Sequence, residues 1–83
     1  MRVVAELPHP DFKITIMMMN NKYIIKTEKG VYEQIYKVAD MDLLNGIDSV
    51  FELLDEEFLA KINERFKEMN RDFKAHYEKY NLW

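Results

Sequence analysis

The sequence predicts an α+β fold, in which a three-stranded antiparallel β-meander is followed by a short helix and a long C-terminal helix packed on one sheet face. β-branched and aromatic residues with intervening turn signals dominate the chain before Asp40, and helix-forming residues with a helical apolar period follow it. Strands that precede helices, rather than alternating with them, are typical of this class. The length of 83 residues and the 48% hydrophobic content indicate a single folded domain, 1–83.

The strands are predicted from apolar–polar alternation and from the turns between them. Residues 12–18 alternate with a period of two, and Asn20-Asn21 has the composition of a two-residue hairpin turn. Strands at about 23–28 and 31–38 follow, separated by a turn predicted at Lys29-Gly30. The segment 3–7 is a further candidate strand, and the sheet has four strands if this segment pairs with 12–18.

The two turns set a register for the three strands. The first turn places Met18 opposite Tyr23, Ile16 opposite Ile25 and Ile14 opposite Thr27. The second turn places Tyr23 opposite Tyr36, Ile25 opposite Gln34 and Thr27 opposite Tyr32. One face, the core face, then carries Phe12, Ile14, Ile16, Met18, Tyr23, Ile25, Tyr32, Tyr36 and Val38. On the other, outer face, Lys13 is expected opposite Glu28 and Lys26 opposite Glu33.

The outer face also carries an apolar row. Met17, Ile24 and Ile35 are predicted to lie side by side across the three strands. Three interpretations remain open at this point. The segment 3–7 or a loop covers the row, or the row contacts another chain, or these side chains are exposed without a function.

Two helix starts are indicated after the strands. Ser49 and Glu52 have the spacing of a capping box, which predicts a helix over about 50–54. Asp55 is followed by two glutamates, as at a helix N-terminus, and an apolar stripe of helical period extends over about 56–80. One continuous helix from Ser49 also fits this phase, but we expect a kink at Asp55.

The long helix is predicted to outrun the sheet. As a helix, the segment 56–80 spans about 37 Å, whereas a seven-residue strand spans about 23 Å. Large apolar residues are found in the C-terminal part of the chain that is predicted to extend past the sheet: Phe73, Tyr77, Tyr80, Leu82 and Trp83. Either the helix crosses the sheet diagonally and the tail folds back onto the short helix, or these residues pack on another chain. Tyrosine and tryptophan are favoured at protein interfaces.

Residues that catalysis and metal binding usually require are scarce. The chain has no cysteine and two histidines, of which we assign His9 to an exposed loop and His76 to the solvated surface or to interface packing. Its two glycines do not form a phosphate-binding loop. The acidic segment 40–48 departs from a calcium loop because Leu44 occupies a ligand position and Gly46 comes one residue late. We therefore expect no enzymatic activity, no metal and no cofactor.

The charge distribution argues against nucleic-acid and membrane partners. Fifteen acidic and twelve basic residues give a net charge of −3, which does not favour phosphate binding. The apolar runs are too short to cross a bilayer, and the long helix carries charges of both signs rather than a basic stripe. We expect a cytoplasmic protein whose partner is another protein.

Several short motifs are shared with a known group of proteins. They are His9-Pro10 followed by Lys13-Ile14-Thr15, Asn21-Lys22-Tyr23, Tyr32-Glu33-Gln34 with Tyr36-Lys37, Leu54-Asp55-Glu56-Glu57-Phe58, and Arg65-Phe66. In these motifs the chain resembles short bacterial proteins of unknown function, and the resemblance covers most of its length. It implies a free-standing cytoplasmic bacterial protein and assigns to it no particular activity, cofactor or catalytic residue.

These observations predict a non-enzymatic interaction module or accessory subunit, which acts either as a homodimer or within a larger complex. Its contacts are expected at the apolar C-terminal residues from Phe73 to Trp83 and at the row of Met17, Ile24 and Ile35. The strand 31–38, as a sheet edge, is a further candidate contact. The alternative is a small-ligand-binding protein. Because a polar amide on a core face needs a partner, a pocket between sheet and helix is then predicted from Tyr23, Tyr32, Gln34 and Tyr36.

Overall fold

A computed structural model describes residues 1–81 and shows the predicted α+β class. The sheet is antiparallel, with four strands in the order β1-β2-β3-β4: Arg2–Leu7, Lys13–Met19, Lys22–Lys29 and Tyr32–Ala39. A 3-10 turn at Asp40–Asp42 leads to helix α1, Ile47–Leu53, and then to helix α2, Glu56–Asn81. The candidate strand at 3–7 is therefore confirmed as β1, and it pairs with β2.

The hairpin between β2 and β3 has the predicted turn and the predicted register. Asn20 and Asn21 have φ angles of 51° and 62°. Positive φ at both central residues is the requirement of a type I′ turn, and asparagine tolerates it better than most residues. Met18 consequently lies opposite Tyr23 and Ile16 opposite Ile25.

The predicted turn between β3 and β4 is wrong by one residue, and the register is wrong by two. The loop consists of Gly30 and Val31, so that Tyr23 lies opposite Val38, Ile25 opposite Tyr36 and Thr27 opposite Gln34. Gly30 has a φ of 61° and occupies the first loop position, where a type II′ turn needs glycine. A type I′ loop at Lys29-Gly30 would have forced positive φ on Lys29. Since the shift is an even number of residues, the core face keeps its residues.

The shifted register changes the charge pairs of the outer face. Lys13 lies opposite Glu28, as predicted. Lys26 lies opposite Ile35 instead of Glu33. Its ammonium nitrogen still reaches both neighbouring carboxylates, at 3.6 Å from Glu28 and 3.7 Å from Glu33. The expected Lys26–Glu33 attraction therefore exists across a diagonal of the ladder.

Helix α1 begins earlier than predicted. It starts at Ile47, with Gly46 at the N-cap position, and Ser49 is a buried residue inside the helix. The Ser49 hydroxyl accepts a hydrogen bond from the Asn45 backbone N–H at 2.9 Å. The predicted start at Ser49 is thus wrong. The φ of 56° at Gly46, which glycine adopts without steric cost, allows the chain to turn into the helix sooner.

The start of α2 is as predicted. The Asp55 carboxylate accepts a hydrogen bond from the Phe58 backbone N–H at 2.8 Å, which is the N-cap interaction. The chain leaves helical geometry at Leu54 and Asp55, so the predicted kink between the two helices is confirmed.

The core lies between the sheet and the two helices. Ile62 and Phe66 of α2 are each 1% exposed and pack on the core face of the sheet. The other buried members of the cluster are Phe12, Ile14, Ile16, Tyr23, Ile25, Val50 and Leu54. Burying a side chain of this size contributes about 1.5–3 kcal/mol, so this cluster is what holds α2 on the sheet.

Candidate functional site

The C-terminal part of α2 extends past the sheet, as the element lengths predicted. With 26 residues the helix is about 39 Å long, whereas the strands have six to eight residues. Met69 is half-buried and still packs against the core. Every residue from 70 to 81 is exposed, and we call this segment the overhang. The described molecule accordingly measures 51 Å in one direction and 26 and 20 Å in the others.

The overhang presents the aromatic residues that the sequence singled out. Phe73, Tyr77 and Tyr80 are 54%, 56% and 76% exposed. They continue the helical spacing of the buried Ile62 and Phe66, so a single stripe is covered by the sheet in its first half and exposed in its second. Up to Asn81 the chain remains helical and does not fold back onto α1. Leu82 and Trp83, predicted as contact residues too, lie outside the described residues.

The base of the overhang is attached to the sheet through Tyr32, the first residue of β4. The Tyr32 hydroxyl donates a hydrogen bond to the Asn70 side-chain oxygen at 3.1 Å. Its ring meets that of Phe73 edge-on, with ring centres 6.1 Å apart, and Phe73 lies 6.1 Å from Tyr77. Such pairs favour a defined ring geometry, so Phe73 is held in place while remaining half exposed.

An open groove lies beside this attachment. Its volume is about 550 Å³, and it is lined by Tyr32, Met69, Asp72, Phe73 and His76. Sequence reasoning did not assign Met69, Asp72 or His76 to the site. Met69 and His76 stand four residues before and three residues after Phe73. Helical spacing around Phe73 is therefore the signal that would have found them.

The predicted outer-face row is interrupted. Met17 lies opposite Ile24, as expected, but Ile35 lies opposite Lys26 because of the shifted β4 register. Ile24 is 6% exposed and Ile35 is 50% exposed. Val3 of β1 stands opposite Met17, so β1 extends this apolar patch sideways rather than covering it. Ile35 lies on β4, an edge strand of the described sheet.

The four residues of the alternative ligand pocket interact with other parts of the chain or with each other. Gln34 donates to the Ile62 carbonyl oxygen at 2.9 Å and accepts from the Tyr36 hydroxyl at 2.8 Å. Tyr32 bonds Asn70 instead, and Tyr23 lies near Asp40. Within residues 1–81, no buried side-chain nitrogen or oxygen lacks a partner. The core-face amide that motivated the pocket is therefore satisfied inside the chain.

Tyr23 joins β3 to the segment that leads into α1. Tyr23 is 8% exposed. Its hydroxyl oxygen lies next to Gly46, since a Cβ added to that glycine would be only 3.5 Å away. Burial raises the pKa of Tyr23, the negative charge of Asp40 and a hydrogen bond with that carboxylate raise it further, and Arg2 partly offsets this. Tyr23 therefore stays a neutral hydrogen-bond donor, which is a structural role.

We compared the chain with protein-family models, with curated proteins and with solved structures, and none of the three comparisons gave a match. Neither of the α-helices in residues 1–81 combines the length and the apolar character needed to cross a membrane. In the same part of the chain, no group of three or more His, Asp or Glu side chains is arranged to hold a metal ion. The overhang with its groove is the candidate site, because it places exposed aromatic side chains beside an open recess.

Proposed function

We propose that the protein is a non-enzymatic interaction module of the cytoplasm, which docks on a protein partner through the aromatic stripe of the overhang. The proposal depends on the observation that Phe73, Tyr77 and Tyr80 are 54–76% exposed on the helix side that is buried against the sheet two turns earlier, at Phe66. An apolar stripe that continues past its own sheet needs a second surface to exclude water from it.

The chemistry of the stripe favours a protein surface as partner. Tyrosine supplies a large apolar ring with a hydroxyl that stays hydrogen-bonded, a combination that is frequent among the residues that dominate binding energy. The remaining sides of the overhang carry both signs of charge, with Arg71 and Lys74 beside Asp72 and Glu78. A phosphate backbone or an anionic lipid surface would favour a basic stripe instead.

Site-specific photo-crosslinking of the full chain in cells tests this proposal. Tyr77 is replaced by p-benzoylphenylalanine, and the control chain carries the same residue at the exposed Ala75, which lies on the far side of the helix. We expect ultraviolet light to give discrete protein adducts with the label at 77 and much weaker ones with the label at 75. Equal labelling from both positions, or none from either, would contradict the proposal.

A further inference from the structure

The geometry points to a second copy of this chain as the occupant of the overhang, with the two α2 helices antiparallel and overlapping over their exposed ends. This inference rests on the proposed function, because it names the partner of the same surface. Three features of the overhang lead to it: the side on which the sheet lies, the charges beside the stripe, and the groove next to Tyr32.

The position of the sheet selects the antiparallel orientation. The sheet covers the stripe at Ile62 and Phe66, on the same helix side that is exposed at Phe73. In a parallel pair, both sheets would compete for the same space between the helices. In an antiparallel pair the sheets lie at opposite ends, and an overlap of about 18 Å, the length of a twelve-residue helical segment, covers both overhangs.

Two charged residues beside the stripe set the register of this pair. Asp72 and Lys79 are seven residues, about two helical turns, apart, so they share one flank of the stripe. Both are exposed. When the twofold axis passes midway between them, Asp72 faces the partner's Lys79 and Lys79 faces the partner's Asp72. The same flank therefore forms two opposite-charge contacts with its own copy, as flanking positions do in coiled coils.

In this register the groove receives a specific side chain. The partner's Tyr80 comes level with position 71 and therefore lies between Met69 and Phe73 along the helix. Met69 and Phe73 both line the groove of about 550 Å³, together with Tyr32. The partner's Tyr80 thus enters a partly apolar recess, and Tyr80 of the first copy does the same in return. An aromatic side chain seated in a pocket is a common anchor of protein interfaces.

The available area suits a small reversible dimer. Large aromatic side chains bury about 150–250 Å² each, so at the observed exposures the six rings of a symmetric pair contribute roughly 550–950 Å². Specific interfaces begin near 1,000 Å² in total. The groove residues and the flanking aliphatic stems supply the remainder, and an interface of this size dissociates on dilution.

Sedimentation equilibrium of the full chain and of charge-swapped chains tests the inference. We expect the unchanged chain to show a reversible monomer–dimer equilibrium. D72K alone and K79D alone each replace two attractive contacts with two repulsive ones, which weakens self-association by about tenfold. An equimolar mixture of the two variants restores dimers, because D72K presents only lysines and K79D only aspartates to each other. The double variant D72K/K79D restores them as well.

The matched controls are K61D and E64K, which make the same charge changes on exposed residues of α2 outside the overlap and leave dimerisation unchanged. A chain that stays monomeric up to millimolar concentration overturns the second copy as partner. The antiparallel register is overturned if D72K or K79D alone dimerises as well as the unchanged chain. It is also overturned if the equimolar mixture of the two variants fails to form dimers. Crosslinks from position 77 to a different protein, in a chain that does not dimerise, would refute this inference while supporting the proposed function.

Discussion

Phe66 and Phe73 lie seven residues apart on the same side of α2, yet Phe66 is 1% exposed and Phe73 is 54% exposed. The difference comes from the sheet, which covers the first residue fully and touches the second only through Tyr32. Two phenylalanine side chains on the same side of one helix therefore have different roles. Phe66 stabilises the fold, and Phe73 is available to a partner.

Replacement of each phenylalanine by alanine separates these roles. F66A is expected to lower the free energy of unfolding by about 3–5 kcal/mol, because it leaves a cavity in a packed core. F73A is expected to change it by less than about 1 kcal/mol. Urea denaturation followed by circular dichroism, at a concentration where the chain is monomeric, measures both values. A loss of similar size for the two variants would show that the overhang belongs to the monomer core.

The N-cap of α2 provides a second prediction. D55A removes the side-chain acceptor of the Phe58 N–H and is expected to lower the free energy of unfolding by about 0.5–2 kcal/mol. D55N keeps an acceptor oxygen in the same place and is the matched control, with a loss well below that of D55A. Thermal unfolding by calorimetry gives the comparison. Equal losses would mean that the charge of Asp55, rather than the hydrogen bond, stabilises the helix start.

Local rules explain which parts of the fold could be predicted from the sequence. The β2–β3 register follows from Asn20-Asn21, and the α2 start follows from Asp55, because both depend on residues adjacent in the chain. The length of α2 relative to the strands likewise predicted that the C-terminal part of α2 extends past the sheet. This last prediction needed only the apolar periodicity and the rise per residue.

The predictions of the β3–β4 turn and of the α1 start were wrong because the residues there are compatible with two different local structures. Gly30 fits either position of a two-residue loop, and only the backbone angles show that it comes first. Ser49 has a capping-box partner, yet Gly46, next to Tyr23 and Asp40 in space, takes the N-cap position of α1 instead. The groove escaped prediction for a related reason, since Tyr32 reaches the overhang only through the observed packing of β4 on α2.

The hydrogen bonds of Gln34 lead to a third prediction. The Gln34 amide connects the Tyr36 hydroxyl on its own strand with the Ile62 carbonyl of α2. Q34L leaves that hydroxyl without its acceptor, and we expect a loss of about 1–3 kcal/mol in the free energy of unfolding. Y36F is expected to cost less, since it removes a donor and leaves the Gln34–Ile62 bond intact.

A double-mutant cycle tests whether these two side chains act as a pair. In Q34L/Y36F neither hydroxyl nor amide remains, so the loss is expected to be smaller than the sum of the single losses by at least about 0.5 kcal/mol. Strict additivity in chemical denaturation would indicate that the Gln34–Tyr36 bond contributes nothing to stability.

The raised pKa of Tyr23 gives the last prediction, which concerns alkaline pH. Burial and the Asp40 carboxylate hold the pKa of Tyr23 above its ordinary value of 10.0 in the folded chain. On raising the pH through about 10, the unfolded chain therefore loses this proton before the folded chain does. Linkage then requires the free energy of unfolding to fall as the pH rises. The stabilising contribution is complete below pH 10 and is lost through the pKa of the folded state.

The variant Y23F isolates this effect, because phenylalanine keeps the ring and removes the ionising hydroxyl. We expect the unchanged chain to lose stability more steeply than Y23F when both are denatured with urea at a series of pH values from 8 to about 11. Y36F, which also removes one tyrosine hydroxyl, is the matched control and is expected to keep the steep decline. If the profiles of all three proteins were parallel, the hydroxyl of Tyr23 would ionise equally in both states, and the contact with Asp40 would not persist in solution.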